Sequence, residues 1–259
     1  MNIKHIILWC VVVQSINCIA QDNKICGEIN YKHTIKISSV FRENFLMKFD
    51  KDNSFSEEID IISSEDSEDL KSSDKGTSRI TVIGRENLNP KFFYNNKDEF
   101  YFRDIFSNKT LLVKEDKIEW NWNLHSETKK IGKFTCQKAT IKFRGRHYSA
   151  WFTNEIPVSF GPWKFRGLSG LILEVYDVDK VFHIIATEVK IKNTDCTINV
   201  NKEDFKNAMT VAKYQIKKDE LIEEMFKKLS SKMPKGSKVL KWDKNCEDCP
   251  KDIEIFDEN

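Results

Sequence analysis

The chain reads as a mainly β protein, a curved antiparallel sheet or half-barrel with one or two C-terminal helices. Three observations predict it. Ile29, Tyr31, His33, Ile35 and Ile37 alternate with Asn30, Lys32, Thr34 and Lys36, the period of two that puts one strand face on a core and the other in water. Short segments of this kind recur, about ten in all, separated by turn residues, the pattern of an antiparallel β fold. Helical spacing appears only late, where Leu221, Ile222, Met225, Phe226 and Leu229 follow Asp219 as N-cap, with Pro234 and Gly236 as the stop.

Taken in order, Phe45, Met47 and Phe49 predict a second strand that turns at Asp50 to Asn53. From Ser63 to Ser78 the chain is almost wholly Ser, Asp, Glu, Lys and Gly. Such a stretch holds too little apolar surface to offset ordering entropy, so a mobile acidic loop is expected there. Strand patterns return at Arg79 to Ile83, Lys91 to Tyr94, Glu99 to Phe106 and Thr110 to Val113. In Lys117 to Asn123 the alternation puts Trp120 and Trp122 on one face. Gly132 to Gln137, Ala139 to Phe143, His147 to Phe152, Gly170 to Tyr176 and Val181 to Ala186 complete the set, and Lys202 to Val211 is a candidate short helix.

The amino terminus bounds the compartment. Lys4 and His5 precede an apolar run from Ile6 to Val13, and Cys18, Ile19 and Ala20 end the segment, the layout of a secretory signal peptide cut after Ala20. Ser15 and Asn17 make Cys18 a poor lipidation site. Removing 20 of the 259 residues leaves 239, ample for a single domain over 21–259. No run reaches the roughly 18 apolar residues of a membrane-crossing helix. An exported protein, periplasmic or associated with the outer membrane, is the expectation.

The charge is balanced, 42 basic against 40 acidic residues, which argues against nucleic acid as a partner. It is unevenly placed. Asp52 to Lys75 holds nine acids and two lysines, whereas Lys129 to Ala150 holds seven Lys or Arg and no acid. Cations there alternate with Ile131, Phe134, Ile141 and Phe143, so a solvated strand face, or one paired with the acidic segment, accounts for them.

Beyond the leader stand Cys26, Cys136, Cys196, Cys246 and Cys249. In an oxidising compartment they are disulfide candidates with open connectivity and one thiol left over. Cys246 and Cys249 have the spacing of a redox dithiol or half a zinc site, but they lie in a charged tail before Pro250, and a disulfide within the pair or to Cys26 and Cys196 is the simpler reading. His33, His125, His147 and His183 show no metal-ligand spacing, and Ser169 lacks the Gly-x-Ser-x-Gly context of a hydrolase. No catalytic residue, metal or cofactor is expected.

The densest punctuation lies in AWFTNEIPVSFGPWKFRGLSGLILEV, Ala150 to Val175. Together with Cys136, Lys138, Ala139, Gly145 and Arg146, this stretch resembles the signature of the GLPGLI family, exported proteins of the Bacteroidota. The name hexapeptide corresponds to Gly167, Leu168, Ser169, Gly170, Leu171 and Ile172, with Ser169 in place of proline, and Gly161 and Pro162 precede it. The resemblance covers Trp120 to Val189 and implies an exported β architecture, similar to that of periplasmic lipoprotein carriers, without an established reaction. The functional expectation is a non-catalytic binding or carrier module whose groove, lined by Trp120, Trp122, Trp151, Trp163 and Phe165, takes an apolar or peptide ligand. The alternative is an accessory partner of an outer-membrane protein complex, followed by a metal or redox protein built on Cys246 and Cys249.

Overall fold

A computed structural model describes residues 25–37, 40–60, 90–96, 99–106, 108–192, 196–233 and 253–256. Its strands are β1 Cys26–Lys36, β2 Val40–Phe49, β3 Ser54–Asp60, β4 Phe92–Asn95, β5 Phe100–Phe106, β6 Lys109–Glu115, β7 Asn123–Ile131, β8 Phe134–Phe143, β9 Arg146–Thr153, β10 Leu171–Asp177, β11 Phe182–Lys192 and β12 Met209–Thr210, followed by the helix α1 Val211–Ser231. The expected signal peptide, acidic loop, strand at Arg79 to Ile83 and tail with Cys246 and Cys249 lie outside the described residues.

The sheet order is β12-β6-β5-β4-β3-β2-β1-β11-β10-β9-β8-β7. Every pair is antiparallel except β12 with β6. Two meanders thus run outward from the β1–β11 seam, which joins residues about as far apart as Cys26 and Lys192. The mainly β, curved antiparallel fold with a C-terminal helix is what the periodicity predicts.

Local differences have physical reasons. Segments 132–137 and 139–143 fuse into β8. Lys117 to Asn123 is not a strand, yet Trp120 and Trp122 still share a face and stack, with centroids 6.0 Å apart. The strand there is β7, a polar and mostly exposed edge without a clear apolar rhythm. β3 escaped notice because its inward residues, Ser54, Ser56 and Glu58, are polar. α1 begins eight residues before Asp219, since Thr210 caps it by accepting from the Lys213 amide. The short helix expected at 202–211 is a single 3₁₀ turn, Lys202–Phe205. Among the described residues no helix is long and apolar enough to cross a membrane.

The two sheet faces are covered separately. On β5, Phe100 and Phe102 pack against Val211, Tyr214 and Leu221 of α1. Tyr101 points the other way, with Phe92 and Tyr94, onto Phe205. The Cys26–Cys196 disulfide, with Cα atoms 6.0 Å apart, ties β1 to the segment that carries Phe205. Cys136 is buried and free, and burial pushes its thiol up to about 11.

The principal core gathers Ile29, Tyr31, Met47 and Phe49 with Leu171, Leu173, Val175, Phe182 and Ile184. The segment between β9 and β10 folds back over it, burying Ile156, Val158, Phe160, Trp163, Phe165 and Leu168. Its return fixes two glycines. A Cβ on Gly170 would stand 2.1 Å from the Thr153 carbonyl oxygen, and Gly167 has φ +92° with Trp120 beside it. Ser169 is exposed and donates to Asn154 Oδ1 at 2.8 Å.

Two predictions follow from this packing. Gly170→Ala should cost about 3 kcal/mol or more in urea unfolding through overpacking, whereas Ser169→Ala costs under about 1 kcal/mol; equal effects would refute the close-approach account. His33 is buried against Phe45, 4.4 Å between centroids, and its Nε2 has no hydrogen-bond partner among the described residues. Burial, reinforced by the Lys91 charge, lowers its pKa from 6.5 to about 3. The unfolded imidazole therefore takes a proton below pH 6.5 that the folded one refuses, and stability falls as pH drops through that window. His33→Phe should flatten the fall by up to one proton, about 1.4 kcal/mol per pH unit; an unchanged slope in pH-dependent unfolding would contradict it.

Candidate functional site

The hairpin at residues 160–166 builds the site. Gly161 and Pro162 turn the chain, the Phe165 amide donates to the Pro162 carbonyl at 3.1 Å, and Phe160 bridges to Arg166. Trp163 adopts φ +55°, a conformation costing about 1–3 kcal/mol for such a residue. Ring contacts with Phe143, Phe165 and Phe182, at 6.0, 5.2 and 5.1 Å between centroids, hold it there. The turn sends the next side chain, Lys164, across to β6.

Lys164 is almost wholly buried, and its Nζ lies 2.6 Å from Glu115 Oε2 and 2.8 Å from Glu254 Oε2, with side-chain exposures of 1%, 0% and 14%. Arg144, in the β8–β9 turn, donates to Glu115 Oε1 at 2.8 Å and stands 3.6 Å from Glu254. Two cations and two carboxylates thus share one enclosed site. Buried charges are tolerated only in this paired form. Glu254 arrives on a short segment held by the Ile255 amide on the Arg144 carbonyl, 3.0 Å, and by Arg146 and Tyr148 on the Ile253 carbonyl, 3.2 and 3.3 Å.

Beside this cluster opens a cleft of about 320 Å³. Lys164, Arg166, Gly167 and Ser159 come from the hairpin side, Glu115, Asp116, Lys117 and Ile118 from the end of β6, Glu99 and Phe100 from β5, and Trp120 from the loop after β6. Arg166 is anchored by donating to Asn95 Oδ1 and the Asn96 carbonyl. The Arg166 carbonyl in turn accepts from Trp122 Nε1 at 2.8 Å. Trp120 is half-buried against Phe143 and Phe165, at 5.0 and 5.8 Å. An aromatic face, cationic donors and carboxylate acceptors therefore border one opening.

Of the five aromatic residues expected to line a groove, Trp120 lines this cleft and Trp122 backs it. Trp151, Trp163 and Phe165 are core residues; Trp151 lies under Lys129, 4.4 Å from its ring, with Nε1 unpartnered. Leu168, Leu171 and Ile172 are core as well, and Gly167 lines the cleft. Sequence reasoning missed Glu115, Arg166, Lys164 and Glu254. The available signal was Lys164, a lone cation between Trp163 and Phe165. Reading the Lys129–Arg146 run as a solvated face also needs correction at its end, where Arg144 turns to Glu115 and Arg146 is buried 2.9 Å from Asp177.

Comparison with known proteins now bears on the chain. A family model described as the N-glycanase peptide, N-terminal domain, matches residues 49–216, 168 of 259, a span that holds the hairpin and every lining residue of the cleft. No curated protein matches. Among solved structures, two crystal forms of PNGF-II are similar, each at 15% identity, with TM-scores of 0.48 and 0.49, covering 76% of this chain and 33% and 34% of theirs. The chain thus spans about a third of the length of those structures. The N-glycanase family is enzymatic, and this match overturns the expectation of a non-catalytic protein that is not an enzyme; aromatic load on strand faces carried no information about catalysis. With 168 of its residues under that model, the chain belongs to the N-glycanase N-terminal domain family.

Proposed function

We propose that the chain acts in the processing of N-glycosylated proteins, engaging the saccharide in the cleft under Trp120. The observation that carries this reading is the chemistry of the opening. A half-buried indole presents an apolar face to sugar C–H groups. Around it Lys117 and Arg166 offer donors and Glu99 and Asp116 acceptors, with Arg166 and Glu99 held in place by Asn95 and Lys114, a mixture that suits the hydroxyls of an uncharged polyol. Membership in the N-glycanase N-terminal domain family supports the same substrate class.

The neighbouring ions support it too. Lys164, Arg144, Glu115 and Glu254 pair with one another, all but the Arg144 Nε, which has no hydrogen-bond partner among the described residues, so they stiffen the wall and leave most recognition to the rim. The Cys26–Cys196 disulfide and the signal-like amino terminus favour action in an oxidising, exported compartment. In this reading the GLPGLI-like hexapeptide is the architectural part of the site, bringing Gly167 against Trp120.

A glycopeptide bearing asparagine-linked chitobiose should quench tryptophan fluorescence saturably, and the same peptide without sugar should not. Trp120→Ala should weaken binding about tenfold or more, roughly 1.4 kcal/mol, and Trp120→Phe by less, with thermal unfolding verifying that both variants are folded. Equal binding of the bare peptide, or an unaffected Trp120→Ala variant, would refute the proposal.

A further inference from the structure

A second cleft, of about 610 Å³, lies on the opposite sheet face, under the segment that the Cys26–Cys196 disulfide anchors. That volume falls within the usual range for small-molecule sites. Its floor is apolar: Phe92 and Phe205, 5.9 Å between centroids, with Phe55, Leu112 and Val200 half-buried around them. Phe205 is itself fixed by stacking on Tyr101 and Tyr94, at 4.5 and 5.3 Å. The floor is therefore preformed.

Among the described residues, one buried side-chain group on this face has no hydrogen-bond partner. Arg103 lines the cleft with its guanidinium carbon 4.5 Å above the Phe92 ring, and its Nε is sealed from solvent with no hydrogen-bond partner. A buried N–H donor without an acceptor is costly. Glu57 and Asp204 act on the guanidinium through space, but neither hydrogen-bonds its Nε; within the lining itself Lys48 and Arg103 stand against Asp204. An apolar floor beside a guanidinium with an unmet N–H donor is complementary to an anion with an apolar body.

We propose that this cleft binds a small monocarboxylate with an aliphatic or aryl body, the body lying on Phe92, Phe205, Leu112 and Val200 and the carboxylate accepting from Arg103. The site is independent of the saccharide cleft, since no lining residue is shared. Guanidinium–carboxylate bonds are among the stronger charge-assisted ones, so both parts of the ligand contribute.

Octanoate, octan-1-ol and butyrate separate the two contributions in titrations followed by calorimetry and by NMR of the Leu112 and Val200 methyl groups. Octanoate should bind saturably and at least tenfold tighter than either comparator. Arg103→Met should reduce octanoate to the level of octanol, and Arg103→Lys should restore part of the difference. Leu112→Trp, which fills the cleft and leaves Arg103 in place, should abolish binding with the unfolding temperature preserved. Octanoate binding no tighter than octanol, no saturation at all, or full affinity in Arg103→Met or Leu112→Trp would overturn the proposal.

Discussion

The inner face of this protein depends on one buried ammonium group. Lys164 sits at the tip of the hairpin between β9 and β10, and it meets carboxylates from two other parts of the chain, Glu115 at the end of β6 and Glu254 on the segment 253–256. Stranding such a charge costs several kcal/mol, so the three parts are held in one arrangement. Non-polar contact sets the overall shape of the sheet; the ion cluster decides where its covering segments lie upon it. The positive-φ turn at Trp163 immediately precedes Lys164 and aims its ammonium at Glu115.

That arrangement leaves room beside it. Had the hairpin filled the inner face with apolar side chains alone, no polar wall would stand next to Trp120. Because Lys164 and Arg166 leave it toward β6 and toward Asn95, the hairpin contributes both its aromatic residues to the core and its cations to the cleft. The other face is organised differently: a disulfide holds its cover, aromatic stacking makes its floor, and one guanidinium leaves its Nε without a hydrogen-bond partner among the described residues. The two faces therefore suit different ligand chemistries, an uncharged polyol on one and an amphipathic anion on the other.

Much of the architecture was legible in the sequence because strand periodicity reports which face is dry. β1, β2, β5 and β10 follow it. β3 and β7 did not show, the first because its inward residues are Ser and Glu, the second because an exposed edge needs no apolar rhythm. The glycines and proline around Trp163 were readable as a demand on the backbone, although the partners they serve, Thr153 and Trp120, were not. The site was less legible still. Trp120 was singled out, but Glu115, Arg144 and Glu254 become neighbours of Lys164 only through long-range topology, and a charge on a strand reads as solvated unless its counter-ion is known. The pairing of Cys26 with Cys196 was open for the same reason.

The central claim, that the buried pair pins the hairpin to β6, is tested most directly by a double-mutant cycle on Lys164→Met and Glu115→Leu, read by chemical denaturation. Each single change should cost about 3 kcal/mol, since it removes the nearest partner of a buried charge and leaves only Arg144 on Glu115 or Glu254 on Lys164. The double variant should cost far less than the sum, with a coupling of at least about 1 kcal/mol. Additive effects, or single costs below about 1 kcal/mol as for an exposed ion pair, would contradict the account.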